Sequence, residues 1–203
     1  MVEAGSRQRA DVRRGGGRPR DADVDERILE ATRALMARHG YHGLTIAAVA
    51  EAAGTTRPTV YLRFATKEDL ATRAIAGMEV DEPRPATDDV RADLVAELRH
   101  FRASVTRPHG MSFVGTVLAE EHEHPALLEH FRARLVAPRR SRLHAVLRRG
   151  QRQGALRADL DVEVLVTALT GSLYAGYLAD GDPAADWPER VVDALWPAMV
   201  APG

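Results

Sequence analysis

Apolar side chains recur at intervals of three and four along most of the chain, the spacing of amphipathic helices. Ile28, Thr32, Leu35, Met36 and His39 mark the first, which the pattern places at Asp25 to His39. Asp21, Asp23, Asp25 and Glu26 supply the negative charge that a helix N-terminus favours, and Gly40 is a natural stop. A second helix follows, with Thr45 as its N-cap, Ile46, Val49, Ala50 and Ala53 inward, and Gly54 at its end. The third begins almost at once: Thr56 caps it, Pro58 sits in the first turn where no N–H is required, and Val60 and Phe64 face inward. Two short helices about a glycine turn make a helix-turn-helix. Thr66-Lys67-Glu68-Asp69 then opens a fourth helix in the manner of a capping box, with Leu70, Ala74, Ile75 and Met78 as its apolar stripe.

Asp81 to Asp89, with two prolines and four acids, reads as a linker. Beyond it the pattern predicts helices near Val90 to Val105, Met111 to His122, Ala126 to Arg149 with a kink at Pro138, Val162 to Ala179 and Trp187 to Val200. No segment longer than a few residues alternates with period two, so the predicted fold is all-α.

Composition narrows the function classes. The 203 residues are 45% hydrophobic and 28% charged, enough for a real core, while aromatics at 5% leave that core to Ala, Leu and Val. The absence of cysteine excludes disulfides, thiolate metal sites and a cysteine nucleophile. There is no Gly-x-Ser-x-Gly elbow, no HExxH and no dinucleotide fingerprint, which argues against an enzyme. The N-terminal arginines are not followed by the apolar stretch of a secretory signal, and Val162 to Ala179 is interrupted by Glu163, Thr167, Thr170, Gly171 and Ser172, too polar to read as a membrane span. A cytoplasmic protein is the default expectation. The formal net charge of -1 argues, taken alone, against a nucleic-acid partner. Its distribution is uneven, however: residues 1–20 carry six arginines against Glu3 and Asp11, a local +4 interrupted by Gly15-Gly16-Gly17, and read as a flexible basic arm. Arg57, Arg63 and Lys67 are the cations that fall near the helix-turn-helix.

The decisive motif is TIAAVAEAAGTTRPTVYLRFATKEDL at Thr45 to Leu70, preceded by ERILEATRALMARHGYHGLT. Over about residues 18 to 80 the chain resembles the DNA-binding domain of TetR-type (tetracycline-repressor-like) transcriptional regulators. The resemblance rests on the Thr after Gly-x-x-Gly-Leu, the Ala-x-x-Ala-Gly of the turn, Thr-Val-Tyr in the third helix and the closing Phe-x-x-Lys-Glu-x-Leu. It implies a basic arm at 1–20, a three-helix DNA-binding domain at 21–80 with its helix-turn-helix at 45–64, and a helical ligand-binding and dimerisation domain at 81–203. The implied activity is that of a ligand-responsive repressor binding a palindromic operator as a homodimer, with an unidentified small molecule as effector, no cofactor, no metal and no membrane partner.

A short third helix with few large outward side chains can enter the major groove N-terminus first. Thr55, Thr56, Arg57, Pro58, Thr59, Tyr61 and Leu62 form the DNA-facing set that the resemblance implies, Arg57 being the prime candidate for a base contact and Tyr61 for a phosphate. Thr45 and Lys67, at the starts of the second and fourth helices, stand where the family grips the DNA backbone. Arg18 and Arg20 precede the first helix, where the family often carries arginine-containing extensions that follow the phosphate backbone or enter the minor groove. Thr55, Leu62 and Ala65 depart from the valine, polar residue and proline usual at those positions, so no operator sequence carries over.

The C-terminal part resembles the family less specifically. Ala168, Ser172 and Gly176, spaced by four, and Val192, Leu195, Trp196 and Met199 on the last helix are the expected dimer interface, by analogy with the family's four-helix arrangement. A buried intrachain core explains either stripe about as well. Phe101, Phe113, Phe131, Tyr174 and Tyr177, with His100 and Glu120 as polar anchors, are candidates to line an effector cavity. Glu120-Glu121-His122-Glu123-His124 has the composition of a metal cluster but not the spacing, and reads as a solvated helix end. The arginines between Arg132 and Arg152 read as a solvated helix face.

Overall fold

A computed structural model describes residues 22–78 and 86–201. Among them the chain is helical throughout, with one isolated bridge, Leu156 to Val200, tying the C-terminus to the loop after α8. The elements are α1 (Ala22–Gly43), α2 (Ile46–Ala52), α3 (Arg57–Arg63), α4 (Lys67–Ala76), α5 (Val90–Val105), α6 (Gly110–Ala119), α7 (Pro125–Phe131), a π-helical turn (Arg132–Val136), α8 (Ala137–Arg152), α9 (Val162–Asp180) and α10 (Trp187–Met199). Arg18 and Arg20, and most of the expected linker, lie outside the described residues.

Local chemistry explains the boundaries. Gly40, at φ 69° and ψ 176°, interrupts α1, and a single turn follows before Leu44. Thr45 caps α2 by accepting from Ala48 N–H at 3.2 Å, and Thr56 caps α3 by accepting from Thr59 N–H at 3.3 Å. Between them Gly54 takes φ 62°, while Gly54 N–H and Thr55 N–H reach back to the carbonyls of Glu51 and Ala50, closing α2 with a Schellman-type end. At α4 the arrangement is close to a capping box: Thr66 accepts from Asp69 N–H, and Asp69 accepts from the N–H of Ala65, one residue before the cap, both at 3.0 Å.

Two hydrophobic clusters organise the molecule. The first joins α1–α4 to α6 and α7, bringing Ile28, Met36, Leu44, Val49, Val60, Phe64 and Leu70 against Phe113, Val117, Leu127 and Phe131. The second lies among α5, α8, α9 and α10 and contains Leu94, Phe101, Leu147, Val166, Leu173, Val192 and Met199. α9 is long and apolar enough, by length and composition, to cross a membrane. Its Val162, Val166, Leu169 and Leu173 are instead packed into this second cluster.

The structure corrects two sequence-based expectations here. Val192 and Met199 are fully enclosed in the second cluster, so they cannot meet a partner subunit; the apolar face of α10 is broad, and its centre turns toward α5 and α9. Leu195 and Trp196, at its edge, are half-buried. The single helix expected from Ala126 to Arg149 is two helices joined by the π turn. Pro138 cannot donate to the carbonyl four residues back, and in the turn before it Ala137 N–H reaches five residues back to Arg132 O.

Candidate DNA-binding face and effector cavity

α3 stands on buried Val60 and Phe64 and presents its opposite side to solvent. Thr56, Arg57 and Pro58 are exposed, Thr55 and Thr59 half-buried, Tyr61 58% exposed and Leu62 84% exposed. Thr56 and Thr59 hydroxyls are hydrogen-bonded to each other at 2.9 Å, which fixes both at the helix start. Arg57 has no ion-pair or hydrogen-bond partner among the described residues. Leu62 is the reverse of a core residue: an aliphatic side chain left almost wholly in water at the middle of the face.

The flanking cations differ from one another. Lys67 places its ammonium 4.3 Å from the centroid of the Tyr41 ring and donates to His42 O at 3.5 Å, so it is held at the start of α4 beside the end of α1. Burial, reinforced by the carboxylates of Glu68 and Glu120, pushes the Tyr41 hydroxyl above the ordinary phenol range. Arg63 is paired with Asp25 and donates to Thr59 O, so it braces α3 against α1. The positive charge expected of Arg63 at this face is therefore largely cancelled.

Glu120 lines neither of the two cavities described below. It is 4% exposed at the end of α6, its Oε1 lies 3.5 Å from His42 Nε2, and its Oε2 has no hydrogen-bond partner. Together with Glu123, also within 3.7 Å of His42, it forms the one group among the described residues whose donor atoms are close enough to hold a metal ion. Sequence spacing could not reveal that grouping, because His42 arrives from α1.

A cavity of about 640 Å³ opens between α6, α7, the π turn, α8 and α9. Phe101, Phe131, Tyr174 and Tyr177 line it as expected, and Arg132, Arg139 and Arg140 add cations that the sequence reading assigned to a solvated face. Phe113 lines instead an adjoining cavity of about 750 Å³ between α1 and the C-terminal helices. Burial raises the Tyr174 pKa, against the opposing charge of Arg139.

The comparisons with known proteins agree with this geometry. The family model for bacterial regulatory proteins of the tetR family matches residues 28–74, and that for the tetracyclin repressor-like C-terminal domain matches residues 84–195. The chain belongs to the tetR family. It is 31% identical to the HTH-type transcriptional repressor AcnR of Corynebacterium diphtheriae over 84% of this chain and 88% of that protein. It is 27% identical to the HTH-type transcriptional regulator YdeS of Bacillus subtilis, over 84% and 86%. Two solved structures share the fold. A transcriptional regulator from Saccharomonospora viridis in complex with choline has a TM-score of 0.71 and 24% identity, covering 90% of this chain and all of that one. FadR of Bacillus subtilis in complex with stearoyl-CoA has 0.66 and 20%, covering 84% and 96%. A tetR-family chain is a DNA-binding regulator of transcription and not an enzyme.

Proposed function

We propose that this tetR-family regulator is a homodimeric repressor, released from a palindromic operator by a small molecule bound in the C-terminal domain. The observation that carries the reading is the exposed, unpartnered face of α3 around Arg57, raised on a core of Val60 and Phe64. In this reading residues 21–80 read DNA and residues 81–203 bind effector and partner. Thr56, Arg57 and Thr59 meet base edges or adjacent phosphates, Thr55 and Pro58 shape the approach, Leu62 meets a thymine methyl, and Thr45, Tyr61 and Lys67 hold the backbone. Arg18 and Arg20 extend that grip, so removal of residues 1–20 weakens binding and flattens its salt dependence. Access to the chromosome places this work in the cytoplasm.

Dimerisation follows from what a single chain leaves uncovered. α9 exposes Val164 at 61% and Leu178 at 84%, with Ala168, Ser172 and Gly176 between them, and α10 adds the half-buried Leu195 and Trp196. A two-fold pair through these helices sets two copies of α3 in successive major grooves, about 34–36 Å apart.

Coupling runs through the π turn. Arg134 donates to Ala76 O at the end of α4 at 2.8 Å, while Arg132 and Val136 of the same turn line the 640 Å³ cavity. A ligand that shifts this turn shifts α4, and releases DNA only by as much as it prefers the shifted state. The AcnR relative supports the repressor reading, and the choline and stearoyl-CoA complexes support a ligand in this fold. Selection of binding sites from random DNA tests the proposal: a two-fold symmetric consensus is expected, and a folded protein that enriches no sequence contradicts it.

A further inference from the structure

The walls of the 640 Å³ cavity are mostly apolar and aromatic, yet three arginines are set among them: Arg132 is exposed, Arg140 is paired with Glu163, and Arg139 is half-buried. Arg139, in the first turn of α8, has its Nε buried without a hydrogen-bond partner. Its guanidinium lies over the Phe101 ring, 4.9 Å from the centroid. The nearby acids are already engaged: Glu97 pairs with Arg142 at 2.8 Å, and Glu163 with Arg140 at 2.9 Å. Burial pulls the Arg139 pKa down from its ordinary range against the influence of Tyr174, and the repulsion of Arg142 and Arg107 adds to the fall while Glu97 opposes it.

A guanidinium held in an apolar wall with no counter-charge is costly to the empty protein. The same arrangement is favourable once an anion enters, because the cation is already in place and the surroundings strengthen the pairing. A neutral ligand gains a hydrogen bond at most, without the charge pairing, and a cationic one is repelled.

Resting on the ligand-responsive reading above, we infer that the effector is an amphipathic anion, whose carbon body fills the aromatic cavity and whose acidic head pairs with Arg139. The volume suits a drug-sized molecule.

Two fluorogenic probes of one carbon skeleton separate charge from shape: 8-anilino-1-naphthalenesulfonate, an anion, and N-phenyl-1-naphthylamine, its neutral counterpart. Each is titrated into the full-length protein. The wild type is expected to bind the sulfonate at least about tenfold more tightly, the scale of one charge-assisted hydrogen bond. Arg139→Met is expected to bring the two affinities within about threefold, the neutral probe's affinity being unchanged, and Arg139→Lys to keep the preference. Arg148→Gln removes an exposed cation of the same helix that lies outside the cavity, hydrogen-bonded to Gln151, and is expected to leave the ratio intact. If Arg139→Met does not fold, Arg139→Gln makes the same comparison. Equal binding of the two probes by the wild type, or a preference that survives loss of the guanidinium, overturns the anion assignment while leaving the cavity a ligand site. Binding of neither probe counts against the cavity as a ligand site, and the inference falls with that reading.

Discussion

His42 Nε2, in the last turn of α1, lies 3.5 Å from Oε1 of Glu120 at the end of α6, joining the DNA-reading unit to the C-terminal helices through a buried carboxylate. The other oxygen of that carboxylate has no partner. An imperfectly satisfied buried charge gains less than its desolvation costs, and an apolar residue of similar length removes the penalty. Glu120→Met is therefore expected to stabilise the protein by about 1 kcal/mol in urea unfolding at fixed protein concentration. A loss of similar size would mean that the contact with His42 outweighs the cost of burial.

Gly150 sits where α8 meets the loop that follows it. A Cβ there would lie 2.7 Å from Cδ1 and 2.8 Å from Cγ of Leu156, which is itself buried, and 3.0 Å from Cγ1 of Val90. Alanine gains about 1 kcal/mol of helix propensity over glycine, but overpacking of a closed site costs about 1–3 kcal/mol. Gly150→Ala is expected to destabilise by about 1 kcal/mol net, with a reduced urea midpoint and an unchanged slope.

Asp93 links α5 to α8 and to the chain entering α5. Burial alone would raise its pKa, but hydrogen bonds from the Thr87 N–H and hydroxyl, at 2.9 and 2.8 Å, and the paired Arg149 guanidinium outweigh it and hold the carboxyl below the usual range. A depressed carboxyl contributes stability that is complete above its unfolded pKa, about 3.9, and is lost as pH falls through the lower folded value. Thermal midpoints measured from about pH 6 down to pH 3 are expected to fall for the wild type, and to fall less steeply for Asp93→Asn. Parallel curves would remove Asp93 from the acid response.

Local signals carried the sequence reading furthest. The caps Thr45, Thr56 and Thr66, and the turn glycine Gly54, act within a few residues of themselves, so they placed α2, α3 and α4 correctly. What the spacing could not supply was the angle at which each helix docks. α10 has apolar residues over a wide arc, and only packing decides that Val192 and Met199 face the core while Leu195 and Trp196 lie at its edge. Partners distant in sequence were hidden for the same reason: Asp25 takes the charge of Arg63, and His42 takes Glu120 out of the effector set. Arg139 reads as one arginine of a solvated face because residue spacing gives no sign of the cavity that it lines.

Gly176 offers a test of the dimer. A Cβ there meets nothing within 4 Å in the single chain, so Gly176→Ala should gain up to about 1 kcal/mol of helix propensity if the chain acts alone. In a pair of closely approaching α9 helices, Gly176→Leu is expected to hold them apart and weaken dimerisation at least about tenfold, about 1.4 kcal/mol. Analytical ultracentrifugation across a dilution series reads this directly. An unaltered dimer would move the interface elsewhere on the molecule.

Arg57 is exposed, unpartnered and set in the first turn of α3, the position from which a base edge is reached. The measurement is fluorescence anisotropy of wild type and Arg57→Ala on a selected operator and on a scrambled duplex at one salt concentration. The variant is expected to lose about 1–3 kcal/mol on the operator while binding the scrambled duplex nearly as well as the wild type. Equal loss on both duplexes, or none on either, would contradict α3 as the element that reads sequence.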